Sequence, residues 1–357
     1  MSHLSQQVRF CISRDGTRLA YAICGSGPPL LWVGHFSRHI DYDWDSPVWG
    51  PWLRLLTRRH TLVRYDIRGC GLSDREPVDI SLDKLSEDFN AVVAAAGLDR
   101  FSLFAMAGNS QAAVAYAVRN PAALIHLVLY GCHTRGPFVR PIDAAQEGED
   151  ETRLKAIQLG WRTANPAFAR FFTTLHAPDL IPRHTTAYNE LLRATTSPNN
   201  AAALIRAYWH SDLRTLAPQI LSPTLVIHAR YDPIIPFDEG RLGASLIPGA
   251  QFVSLESRNH VLIESEPAWV VFTRAVDRFL SCAGPSNSNF AQLTSRECAV
   301  LSILAKGVDN SGIAAQLGIS EKTVRNHVSI IFGKLGAHSR AQAVALARDW
   351  GIGPDDP

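Results

Sequence analysis

Residues 101–119, FSLFAMAGNSQAAVAYAVR, change character twice within a short span. Residues 101–105 are a brief apolar run of the kind that a strand buried on both faces needs. Residues 111–119 carry apolar side chains at helical spacing. The stretch between them contains Ala107-Gly108-Asn109. A buried strand fed straight into a helix is the repeating unit of a parallel sheet with crossover connections.

The same unit recurs on both sides. Apolar runs bounded by turn signals occupy residues 30–33, 61–65, 127–130, 224–228 and 251–255, with helical patterns such as 82–96 between them. Residues 8–13 and 18–24 read as an opening hairpin around Arg14-Asp15-Gly16-Thr17. The fold class is therefore α/β. Residues 134–218 interrupt the rhythm with helical patterns and no strand, as a helical lid inserted over the ligand edge of a sheet would. Residues 281–291, SCAGPSNSNFA, are uncharged and rich in Gly, Pro, Ser and Asn, and so read as a linker. The expected organisation is a ligand-binding domain over 1–280, that linker, and a small all-α domain over 292–357.

The chain has 357 residues, 46% hydrophobic and 19% charged, which excludes wholesale disorder. With 35 Lys and Arg against 33 Asp and Glu, its net charge of +2 argues against coating nucleic acid along its whole length. No apolar run approaches the ~20 residues of a membrane span, and the polar start from Met1 to Arg9 predicts no signal peptide. Cys11, Cys24, Cys70, Cys132, Cys282 and Cys298 form no C-x-x-C pair and no Cys/His cluster. Reduced thiols in a cytoplasm follow, with neither metal nor cofactor predicted.

The last part reads differently. Thr294-Ser295-Arg296-Glu297 is a capping box before an apolar-periodic run. A short helix near 311–317, Gly318, and a second start at Ser320 form a helix-turn-helix pattern. On the helix 321–335, Val324, Val328, Ile331 and Leu335 make the buried stripe, so Lys322, Arg325, Asn326 and Ser329 point away from it. Arg offers two hydrogen bonds to guanine and Asn two to adenine, which suits a helix whose first turns enter a major groove. Lys322, Thr323, His327 and Lys334 are assigned to phosphates. From 291 to 349, seven Arg and Lys face four Asp and Glu, a local excess of +3.

These residues resemble the LuxR-type DNA-binding domain: Leu293-Thr294-Ser295-Arg296-Glu297, Ile313-Ala314-Ala315-Gln316-Leu317-Gly318-Ile319-Ser320, Lys322-Thr323-Val324-Arg325-Asn326-His327-Val328, Lys334-Leu335-Gly336 and Ser339-Arg340. The resemblance implies a bacterial regulator that reads DNA as a homodimer, with the helix 341–350 as dimer contact. Gly312 and Gly333 depart from the family's longer polar residues, each at a helix cost of up to ~1 kcal/mol relative to Ala.

In the large part, Asp66-Ile67-Arg68-Gly69-Cys70-Gly71-Leu72-Ser73 follows one strand and Ser222-Pro223-Thr224 opens another that leads to Arg230-Tyr231-Asp232-Pro233. Asn259-His260 follows the last strand. Together they resemble the α/β-hydrolase superfamily over residues 8–280. The resemblance implies a nucleophile at the strand-to-helix elbow, then an acid and a histidine. A neutral hydroxyl attacks poorly, so the imidazole must take its proton while the carboxylate fixes the imidazole. Asp232 and His260 fill the last two places. At the elbow, small–x–Ser–x–small counted without gaps puts Ala107 at the nucleophile position. A second frame, Gly108-Asn109-Ser110-Gln111-Ala112, offers Ser110 instead.

The implied oxyanion hole uses the backbone N–H groups of Gly108 and Phe36, in a segment Gly34-His35-Phe36 whose order reverses that of many relatives. Aromatic residues gather in the loop after the third strand and in the lid: Tyr42, Trp44, Trp49, Trp161, Phe168, Phe171, Phe172, Tyr208 and Trp209. His35, Trp44, Trp161 and Phe172 complete the expected ligand set, suited to an apolar or aromatic carbonyl compound. The expected function is a regulator that senses such a ligand through a silent hydrolase fold. The alternative is a working ester or lactone hydrolase with a DNA-binding tail, using Ser110 or a serine replaced here by Ala107.

Overall fold

The computed structural model describes residues 6–141, 144–160, 166–281 and 293–349. The chain divides into two compact units, the larger reaching Ser281 and the smaller formed mainly by the C-terminal part. All but the first residue of the 281–291 linker lies outside the described residues, as do Trp161, Cys282 and Trp350.

The larger unit opens with β1 (Gln7–Ile12), β2 (Arg18–Gly25) and β3 (Pro29–Val33), then α1 (Trp49–Thr57), β4 (Thr61–Tyr65) and α2 (Leu82–Ala95). β5 (Phe101–Met106), α3 (Ser110–Arg119) and β6 (Leu124–Tyr130) follow. Four helices make the insert: α4 (Ala144–Gly160), α5 (Pro166–His176), α6 (Pro182–Thr195) and α7 (Pro198–Trp209). β7 (Thr224–Ala229), α8 (Phe237–Leu246), β8 (Gln251–Leu255) and α9 (Pro267–Ser281) complete it.

The eight strands form one sheet in the order β1-β2-β4-β3-β5-β6-β7-β8. β1 and β2 pair antiparallel around the Arg14–Thr17 turn, where Gly16 takes φ +91 and Asp15 Oδ1 accepts the Thr17 N–H at 3.1 Å. From β4 to β8 every pairing is parallel. β5 is buried at all six positions and β7 likewise, which explains why these runs lack a polar alternation.

The strand order places the site. From β3 the chain crosses to β4 on one side, whereas from β5 it crosses to β6 on the other. Connections therefore part between β3 and β5, and the crevice above their carboxyl ends is where an open α/β sheet binds ligands. The residues just past β3 and β5 are Gly34–Phe36 and Ala107–Asn109.

The loop after β3 is held by buried charge. Arg64 on β4 and Arg38 in the loop both donate to Asp43 Oδ2, at 2.8 and 3.1 Å, and all three side chains are nearly or fully buried. Arg64 also reaches the Ile40 carbonyl at 2.8 Å, and the Arg38 guanidinium sits 3.5 Å from the Trp32 ring centroid. Beneath, Trp32, Trp49, Trp52, Phe104 and Phe272 pack ring on ring.

The lid is tied down at the α6–α7 junction. The Gly71 N–H donates to the Thr195 carbonyl at 2.7 Å, the Thr196 hydroxyl donates to Gly69 O at 2.7 Å, and the Asn200 amide donates to Arg75 O at 2.7 Å.

The smaller unit has α10 (Ser295–Ala305), α11 (Asn310–Leu317), α12 (Glu321–Leu335) and α13 (Arg340–Asp349). The capping box at Thr294 is complete, with both the Thr294 hydroxyl and the Glu297 carboxylate engaged. Gly318 ends α11 in the left-handed conformation at φ +64. Gly312 has a packing reason: a Cβ there would meet Val308 Cγ1 at 2.5 Å. Nothing lies within 4 Å of a Cβ at Gly333.

Asp43→Ala would strand two buried guanidinium groups, so it is expected to cost about 3–5 kcal/mol. Urea unfolding followed by tryptophan fluorescence should show the midpoint fall. An unchanged midpoint would mean that the network contributes nothing.

Candidate functional site

Ala107 is the single non-glycine residue with positive φ among the described residues, at φ +49. An L-residue in the left-handed region costs about 1–2 kcal/mol, so the surrounding fold must hold it there. β5 delivers the chain, a 3-10 turn spans Ala107–Asn109, and α3 begins at Ser110. This is a strand-to-helix elbow with Ala107 at its apex. Ser110 is fully buried in the first turn of α3 and is not among the residues lining the cavity.

Asn109 ties the elbow to its surroundings. Its amide donates to the Gly34 carbonyl at 2.7 Å, and its carbonyl accepts the Tyr208 hydroxyl at 3.0 Å. Gly108 must be glycine, because a Cβ would lie 1.9 Å from Tyr208 Cγ on the lid.

Above Ala107 lies a cavity of about 50 Å³. His35 and Phe36 line it from the β3 loop, Ala107 and Gly108 from the elbow, and His260 from beyond β8. The lid supplies Asp150, Arg153 and Ile157 from α4, Phe172 and His176 from α5, and Ile205, Tyr208 and Trp209 from α7. Of the expected ligand residues, His35, Phe36, Gly108 and Phe172 thus meet in one place. Trp44 does not: its indole N–H donates to Gln6 Oε1 at 3.0 Å, away from the cavity lining. Trp161 falls outside the described residues. So does the Phe168 side chain.

Asp232 and His260 are paired. Their Oδ2 and Nδ1 atoms are 2.7 Å apart, and Asp232 Oδ1 accepts the backbone N–H of Ile234 and Ile235 at 2.8 and 3.0 Å. Burial alone would raise the Asp232 pKa, but the charge and hydrogen bond of His260 hold it at about 2. Around His260 the other imidazoles are pressed toward neutrality. Burial first, then the nearby charge of His260, lowers His133 and His176 to about 3. Burial likewise takes His35 well below the usual range, with His176, His260 and Arg38 adding to it. The rings of His35, His176 and His260 stand 5.1 to 5.7 Å from one another.

His133, His176, Asp150 and Arg153 are cavity residues that the sequence reading missed. His133 could have been found, since it follows a buried strand whose carboxyl end must face the crevice. Nothing in the spacing of the lid marks the other three. Among the described residues, no group of His, Cys, Asp or Glu side chains is arranged to hold a metal ion, and no helix is long and apolar enough to cross a membrane.

In the tail, α12 buries Val324, Ile331 and Leu335, half-buries Val328, and exposes Lys322, Arg325, Asn326 and Ser329. Thr323 is half-buried with its hydroxyl 2.8 Å from Ser320 Oγ, and His327 is half-buried. Lys334, expected at a phosphate, lies against α10 in this structure. Its ammonium donates to Glu297 Oε2 at 2.7 Å, closing α12 onto the capping box of α10.

The alpha/beta hydrolase family matches residues 26–271, and the bacterial regulatory proteins of the luxR family match 291–347. Pyrrolizixenacetamide deacetylase from Xenorhabdus hominickii is 25% identical over 263 residues, which are 72% of this chain and 94% of that protein. The transcriptional regulatory protein YdfI of Bacillus subtilis is 47% identical over 64 residues, 18% of this chain and 30% of that protein. A hydrolase from Pseudomonas aeruginosa superposes with a TM-score of 0.63 at 25% identity, covering 77% of this chain and 99% of that one. The chain belongs to the α/β-hydrolase family and carries behind that domain a DNA-binding domain of the LuxR family of regulators.

Proposed function

We propose that this chain is a transcription regulator in which a catalytically silent hydrolase-fold domain senses a small apolar or aromatic carbonyl compound. Occupancy of the cavity biases DNA binding by the tail. The observation that carries this reading is Ala107. The elbow keeps its left-handed turn and faces the cavity, but its side chain is a methyl group. A hydroxyl there would attack, whereas a methyl can only line the wall. Asp232 and His260 stay hydrogen-bonded, which preserves a polar wall for a ligand.

The cavity's size supports coupling. At about 50 Å³ it is smaller than the roughly 300–1,000 Å³ of drug-sized sites. A ligand larger than a few atoms must displace side chains from α4, α5 or α7. It would then prefer one arrangement of the lid over another, and such unequal affinity is what coupling between sites requires. In this reading two copies read one operator in the cytoplasm, each through Arg325 and Asn326.

With p-nitrophenyl acetate or a simple lactone, the protein is expected to show no turnover that responds to His260→Ala. Ala107→Ser is expected to introduce an acyl-enzyme burst. A wild-type rate abolished by His260→Ala would return the chain to the enzymes.

On an operator selected from random DNA, Arg325→Ala should cost about 1–3 kcal/mol and relax base preference. Lys334→Ala should destabilise the tail but leave the salt dependence of DNA binding nearly unchanged, because Glu297 already holds the ammonium. A salt slope reduced by about one charge would instead put Lys334 on a phosphate.

A further inference from the structure

The cavity keeps a base whose usual proton donor is missing. Of the imidazoles lining it, His260 meets a carboxylate, Asp232, whose other oxygen is committed to two backbone N–H groups. His35 Nδ1 lies 2.7 Å from the Ser37 hydroxyl oxygen and His176 Nδ1 lies 2.9 Å from the Phe172 carbonyl oxygen, so neither has a carboxylate behind it in these contacts. The remaining charged and titratable neighbours are accounted for. His228 on β7 approaches Asp232 at 3.8 Å, His133 follows β6, and Asp150 and Arg153 on α4 face each other at 3.7 Å. Burial disfavours a proton on His35, His133 and His176, and in these contacts His260 alone is backed by a carboxylate, at 2.7 Å.

We propose that this cavity takes a compact apolar molecule with an acidic hydroxyl, a phenol or an enol, and binds it as the anion after its proton passes to His260. The proposal rests on the reading of the cavity as a sensor, and puts an acidic hydroxyl in place of the carbonyl as the group the site recognises. The ligand O–H bond breaks, an N–H bond forms at His260 Nε2, and the electron pair stays on the ligand oxygen. Release reverses the transfer. The step adds no net charge to a buried site, since imidazolium, ligand anion and Asp232 sum to the charge of imidazole, neutral ligand and Asp232. Asp232 stabilises the imidazolium as it would in a working triad. The ring of the ligand would lie among Phe36, Phe172, Tyr208 and Ile205, with the Ala107 methyl where a nucleophile would otherwise compete for the base.

4-Nitrophenol tests this directly, because its ionised form absorbs light that the neutral form does not. Added to the full-length protein below the pKa of the free dye, it is expected to bind and show more phenolate than the free dye at the same pH. Its methyl ether, 4-nitroanisole, is expected to bind about tenfold more weakly or worse, having lost a charge-assisted hydrogen bond. His260→Gln should remove the phenolate band, and Asp232→Asn, with its fold checked by circular dichroism, should weaken it. A dye bound neutral, a band that survives His260→Gln or depends instead on Arg153, equal affinity for the ether, or no saturable binding of either compound would each overturn the proposal. The sensing reading fails separately, if the dye binds as phenolate and operator affinity does not change.

Discussion

A left-handed turn at an alanine fixes the geometry of the larger unit's crevice. At φ +49, Ala107 sits where an L-residue is strained, and neither the strand before it nor the helix after it can relax that strain without leaving its own packing. β5 is buried along its whole length between β3 and β6, and Ser110 and Ala113 of α3 are wholly excluded from solvent. The turn is thus imposed from both ends. It places the methyl of residue 107 at the point where the crossovers part, and it aims Asn109 back at the β3 loop and up at the lid. Gly108 lets Tyr208 close over the apex, so lid and elbow are fitted to each other at van der Waals distance.

The other wall of the crevice depends on charges that never touch it. His35 and Phe36 ride on a loop whose base is clamped by Asp43 between Arg38 and Arg64. Two guanidinium groups on one carboxylate, with all of them buried, make an arrangement that is costly to assemble and costlier to break. Its effect is positional. The Arg38 side chain packs so closely on Gly34 that no Cβ would fit there, and this sets the path of the loop toward the cavity. The buried His35 imidazole on a loop held in this way gives the wall a polar face.

Much of this was legible in the sequence because it was local. Uninterrupted apolar runs announce strands buried on both faces, and β4 and β8 begin and end where their runs do. Asp232 and His260 each come shortly after such a run, so the family resemblance could set them at one edge of the sheet, where they lie 2.7 Å apart. The capping box and the Gly318 turn are likewise short-range features with fixed offsets. What could not be read is what three dimensions bring together. His176 closes a lid helix and reaches the cavity only because α5 brings its ring against those of His35 and His260. Lys334 and Glu297 are far apart in the chain, and their pairing follows from how α12 packs on α10. Trp44 failed for the opposite reason: proximity in sequence to Phe36 did not make it a neighbour of the cavity, since its indole turns toward Gln6.

The strained elbow also has a genetic consequence. Alanine and serine codons differ at a single base, and the backbone at residue 107 already has the shape a nucleophilic serine needs. The Asp232–His260 pair and the turn are both in place, so one transversion separates this chain from one that carries a serine hydroxyl at the apex of the elbow. A population carrying the gene samples that neighbour continually, so the residue at the apex can change without any change of architecture.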